Sequence, residues 1–167
     1  MKKAINLLIV LFISLLISCG DKDAKKKDGF SYGKKPTTET KTSTQTETIL
    51  PSESIDLTNK GIGPITSLEL PAEIDKEMVA HGKEIYAKLC TACHRPDRKF
   101  IGPAQNGIMT RRTPEWVMNM ILNPEEMIQK DPLAKALLIE FNSAPMANQN
   151  LSQEDARAVL EYFRTLK

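Results

Sequence analysis

The sequence is poor in several residue types, and each shortage excludes something. Three cysteines in 167 residues, at 19, 90 and 93, are too few for a disulfide-stapled scaffold, and an odd count leaves one outside any internal pair. Aromatic residues make up only 5% of the chain, with a single Trp. A formal net charge of +2 supplies no basic field for nucleic acid and no acidic tail. No apolar run reaches the roughly 20 residues that a membrane-spanning helix needs. There are no internal repeats, and no alternating run of β-branched residues marks a strand in the C-terminal half.

The amino terminus carries an address. Lys2 and Lys3 precede Ala4 to Ile17, an almost wholly apolar stretch that fits the core of a secretory signal. It ends in Leu16-Ile17-Ser18-Cys19, which resembles the lipobox of bacterial lipoproteins. That resemblance implies cleavage after residue 18, lipidation of Cys19, and attachment to the bacterial cell envelope facing the periplasm. Several acyl chains anchor a protein stably where one does not. Gly20 and Asp21 after the cysteine lean toward the outer membrane. Removing the signal leaves the chain formally neutral.

Residues 19–60 read as a lipidated terminus and a disordered tether. The run from Thr37 to Thr48 is almost entirely polar and follows neither helix nor strand period. About 40 such residues have a reach of roughly 35 Å. Residues 61–71, with Ile62, Ile65, Leu68 and Leu70, read as an extended arm against the domain that follows.

Residues 72–167 read as an all-α domain of four to five helices. Asp75 is placed to cap the first. Thr113-Pro114 and Asp131-Pro132 are N-cap and N1-proline pairs, and Asn123-Pro124 opens a short acidic turn. Ser152 to Asp155 resembles a capping box ahead of the last helix. So few bulky apolar residues leave a thin core, and a domain this small needs something more at its centre.

Cys90-Thr91-Ala92-Cys93-His94 is C-x-x-C-H, the attachment pattern of c-type haem. Two thiols three residues apart on a helical turn point the same way and can meet two vinyl groups, and the following imidazole can ligate iron. A redox dithiol needs a βαβ context that is missing here. A zinc site lacks a second cysteine pair, and a simple disulfide leaves His94 without a task. His94 ligates through Nε2 in this reading, with Nδ1 held by an acceptor, for which the Pro103 carbonyl is the candidate.

Methionine supplies the sixth ligand. Met118, Met120 and Met127 fall on or beside helices as core filler, Met109 is close in sequence to His94, and Met78 precedes the motif. Met146 lies in an interhelical loop 52 residues beyond His94 and is the candidate. Arg111, Arg112 and the Trp116 indole are candidates to pair the haem propionates.

With these elements in order, the chain resembles the monohaem class I cytochromes c. The resemblance rests on Gly82 and Tyr86 ahead of Cys90-x-x-Cys93-His94, a Gly102-Pro103 loop, a Pro145-Met146 loop and the terminal Leu160-Glu161-Tyr162-Phe163. It implies a close helix crossing at Gly82, an aromatic pair of Tyr86 and Tyr162, and one covalent haem c. The motif order is similar to that of small cytochromes c associated with nitrous-oxide reductase genes. A lysine-rich docking ring is missing, since residues 61–167 hold 13 basic and 14 acidic side chains.

The function expected is one-electron transfer between redox proteins, such as a quinol-oxidising complex and a terminal reductase or oxidase, with no small-molecule substrate. The alternatives are a haem subunit of a larger oxidoreductase and a five-coordinate haem enzyme or gas sensor, which would require Met146 to be absent from the iron or displaceable.

Overall fold

Four helix starts foreseen in the sequence are made by the side chains expected to make them. In the computed structural model, which describes residues 49–167, Asp75 accepts from the amides of Glu77 and Met78 at 2.9 and 3.0 Å and opens α1, Lys76–Leu89. Thr113 accepts from Trp116 N at 3.1 Å, with Pro114 beginning α3, Pro114–Leu122. Asp131 accepts from Ala134 N at 2.7 Å and opens α5, Pro132–Glu140. Ser152 accepts from Asp155 N at 3.0 Å and opens α6, Gln153–Arg164. Each cap satisfies donors that a helix leaves unpaired at its first turn.

Two further helices complete the described residues, α2, Ile108–Arg111, and α4, Pro124–Lys130. The count is therefore six rather than four to five. The extra helix is α2, a single turn begun at the left-handed Gly107, too short to show a hydrophobic period. The box at Ser152 is half made. The Asp155 carboxylate takes the Ser152 hydroxyl at 2.9 Å and His81 Nε2 at 2.9 Å, the latter across the α1–α6 crossing. Aspartate is one methylene shorter than the glutamate of a full box.

The core sits where α1 and α6 cross, with α3 against α6. Ile85, Tyr86, Trp116, Val117, Val159, Leu160 and Phe163 are buried there. Gly82 permits the crossing, because a Cβ on it would lie 1.9 Å from the Ala158 carbonyl oxygen. Tyr86 and Tyr162 rings lie 5.4 Å apart, and Phe163 meets Tyr86 edge-on at 5.7 Å, geometries that aromatic quadrupoles favour.

The arm begins earlier than residue 61. Residues 50–60 are tied to the helical domain, although the sequence reading placed them in the tether. The buried Arg112 guanidinium donates to the carbonyls of Ser54 and Pro51, and Asp56 N donates to Arg111 O at 2.9 Å. Glu140 accepts from Ser52 N and Oγ at 2.8 and 2.6 Å. Asn119 then holds the next stretch, accepting from Ile65 N and donating to Lys60 O and Ile65 O. Polar bonds from residues 50 to 90 positions away fix this segment, and apolar density along the chain carries no trace of them. The signal at 1–18, Cys19 and the tether through residue 48 lie outside the described residues.

Candidate cofactor site

Beyond α1 the chain makes one more tight turn, and it is built on a single carbonyl. Cys93 N and His94 N both donate to Cys90 O, at 3.1 and 2.9 Å. Cys90 itself caps α1, with its amide on Tyr86 O. This turn brings Cys90, Cys93 and His94 to one cleft. Arg95 folds back over the turn, donating to Thr91 O and His94 O, and its guanidinium stacks 4.3 Å above Phe100. A cation there suits the carbonyl end of a helical turn.

His94 is clamped on two sides. Gly102 N donates to Cys93 O at 2.9 Å and returns the loop against the imidazole. A Cβ on Gly102 would lie 2.4 Å from His94 Cε1, so only glycine allows this approach. His94 Nδ1 donates to Pro103 O at 3.0 Å, which leaves Nε2 as the nitrogen for a metal. Burial pulls the imidazole below its ordinary pKa, with the Pro103 bond pulling the other way. A neutral ring results, the form that ligates. Gln105, buried beside His94 Nδ1, had no signal in the sequence: it is a lone polar residue in a loop.

The Cys90 thiol lacks the lowered pKa of a reactive dithiol. Both cysteines are free, and burial, then the neighbouring Cys93, pushes the Cys90 thiol up to about 11. Reactive dithiols have lowered values instead. Among the described residues no cluster of three or more His, Cys, Asp or Glu side chains is placed to hold a metal ion.

Met146 also lines this cleft. Its loop leaves α5 through Asn142 and Ser143, both left-handed, and enters α6 after the left-handed Asn150. Ser143 N on Leu138 O at 2.8 Å and Asn150 N on the Asn148 side chain at 2.8 Å brace the two ends. Of the six described methionines, Met120 and Met146 line the cleft, while Met118 and Met127 are buried filler. Met127 Sδ takes Ile62 N at 3.0 Å.

The three expected propionate partners line the cleft, but the protein already engages them. Trp116 Nε1, one of the three candidates, donates to Asp131 at 3.2 Å. Asp131 is the N-cap of α5, and its carboxylate is buried next to the indole. Arg112 holds the arm, and Arg111 donates to Asn106 O at 3.0 Å. Arg111 is the more exposed of the two arginines.

The residues present fit a c-type haem. Two thiols, a neutral imidazole and a soft thioether converge on a cleft walled by apolar side chains such as Ile108, Val117, Ile121 and Leu137. Tyr86 also lines it, with a buried hydroxyl that has no protein partner.

The protein-family model described as Cytochrome c matches residues 79–167. A solved cytochrome c from Rhodothermus marinus is 41% identical over 69% of this chain and 91% of its own, with a TM-score of 0.60. An engineered form of that cytochrome c is 40% identical over 69% of this chain and 92% of its own, also at 0.60. A further engineered form, solved with a carbene intermediate bound, is 41% identical over the same shares, at 0.57. No curated protein matches significantly.

Proposed function

The chain belongs to the cytochrome c family, and from that premise we propose a one-electron carrier. Cys90 and Cys93 would hold haem c as thioethers, and His94 and Met146 would ligate its iron. The observation that carries this reading is the convergence of these four side chains on one apolar cleft. When bound, the haem supplies a one-electron Fe(III)/Fe(II) couple.

The chain's own residues prepare that couple. Pro103 and Gly102 fix the His94 ring, so the ligand nitrogen does not have to be reoriented. Met146 offers a neutral sulfur, which favours the ferrous state. With both residues on the iron, the haem would exchange electrons and hold no position open for substrate. The apolar walls exclude water. Leu89 and Ile101 line the cleft and remain exposed, so its mouth offers apolar surface to a redox protein.

The redox partners in this reading are a quinol-oxidising complex and a terminal reductase or oxidase, with nitrous-oxide reduction as the candidate chain. The supporting run is Ile101-Gly102-Pro103-Ala104, Arg111 to Trp116, and Asn123 to Met127. The carrier is tethered to the cell envelope by acyl chains on Cys19 and faces the periplasm, with Leu16-Ile17-Ser18-Cys19 in support.

Pyridine haemochrome spectroscopy of the protein, made in cells that attach haem c, tests the core of this reading. One covalent haem per chain is expected, lost in the double variant Cys90→Ser, Cys93→Ser. Wild-type protein without haem would refute it. For the anchor, Cys19→Ala should move the protein from the membrane to the soluble periplasmic fraction.

A further inference from the structure

Two donors converge on the Pro103 carbonyl. His94 Nδ1 reaches it at 3.0 Å and Gln105 Nε2 at 3.2 Å, and the two nitrogens are 2.8 Å apart. Gln105 is 5% exposed, and its backbone is anchored at both ends, with its amide on Pro96 O at 3.1 Å and its carbonyl taking Ile108 N at 3.0 Å. The end of its side-chain amide that faces Pro103 is Nε2, the donor end.

We propose that Gln105 is a positioning residue that tunes the reduction potential upward by sharing the acceptor of the His94 Nδ1–H. The inference rests on His94 being an iron ligand. A strong bond from Nδ1–H to an acceptor makes the imidazole a more basic ligand. A carbonyl that also serves a second donor withdraws less from the ring proton, because its lone-pair density is divided. The imidazole stays less basic, which favours Fe(II) over Fe(III). Gln105 also crowds the ring from the side, so its presence limits how closely Nδ1 can approach Pro103.

Gln105→Leu tests this, since leucine fills similar volume and donates nothing. At a fixed applied potential the ratio of oxidised to reduced protein should rise about three- to tenfold. At 59 mV per tenfold for one electron, that is a potential about 30–60 mV lower. In the reduced state the His94 Nδ1–H resonance should move downfield as its bond strengthens. A potential that stays or rises, in a variant that keeps its haem and low-spin spectrum, overturns the proposal. A second measurement needs no variant. In the reduced wild type, a nuclear Overhauser contact should join a Gln105 side-chain amide proton to His94 Nδ1–H, and its absence overturns the proposal. Hyperfine-shifted His94 ring resonances in the ferric wild type report ligation separately. If they are missing, the ligand assignment falls as well; if they are present with an unmoved potential, only the role of Gln105 falls.

Discussion

Gly82 and Ala158 meet backbone to backbone, and a Cβ added to Gly82 would lie 1.9 Å from the Ala158 carbonyl oxygen. The obstacle is main chain, which cannot rotate away. Gly82→Ala gains about 1 kcal/mol of helix propensity. Forcing α1 from α6 costs more, since overpacking typically costs 1–3 kcal/mol and occasionally exceeds that. We expect a net loss of about 1–2 kcal/mol in chemical denaturation, with the aromatic contact of Tyr86 and Tyr162 loosened.

Met146 and Met120 both line the cleft, so paired substitutions separate ligand from wall. Met146→Leu should abolish the weak far-red band of thioether ligation in the ferric state, lower the potential and allow fast CO binding to the ferrous state. Met120→Leu should keep all three properties. Reversed results would move the ligand to α3.

Arg112 holds Pro51 O and Ser54 O from a site only 3% exposed. Arg112→Leu leaves those carbonyls without their donors and should destabilise by about 2 kcal/mol. Amide hydrogen exchange should show residues 50–60 opening first, and limited proteolysis should cut there before any helix is attacked.

Glu161 is 1% exposed and accepts from Arg164 at 2.8 Å, Arg157 at 2.5 Å and Asp75 N at 3.0 Å. Burial pushes its carboxyl upward, but the bonds from Arg164, Arg157 and Asp75 outweigh it and hold the group below the ordinary carboxylate range. The folded pKa therefore lies below the unfolded value of about 4.3. Its contribution is complete above that value and is lost as pH falls through the folded pKa. Glu161→Gln should cost about 2 kcal/mol at pH 7. The gap to wild type should close as pH falls through the lowered folded pKa in acid denaturation curves.

Much of this molecule is legible in the sequence because its signals are local. Asp75, Thr113-Pro114, Asp131-Pro132 and Ser152 act on amides two or three residues away, so helix starts follow from adjacent letters. The C-x-x-C-H spacing is likewise a property of one turn. The single-turn α2 escaped, since four residues carry no period.

Determined by the sequence alone were the all-α class, the attachment turn at Cys90 to His94 and the loop that carries Met146. Each depends on the reach of one side chain or the pitch of one turn. Only the tertiary structure decided which carbonyls Arg112 holds, that Trp116 serves Asp131, that the arm starts near residue 50, and that Gln105 shares Pro103 with His94. The physical reason is the same throughout. A buried polar group must find a partner somewhere in the fold, and nothing in its own neighbourhood of the chain says which one.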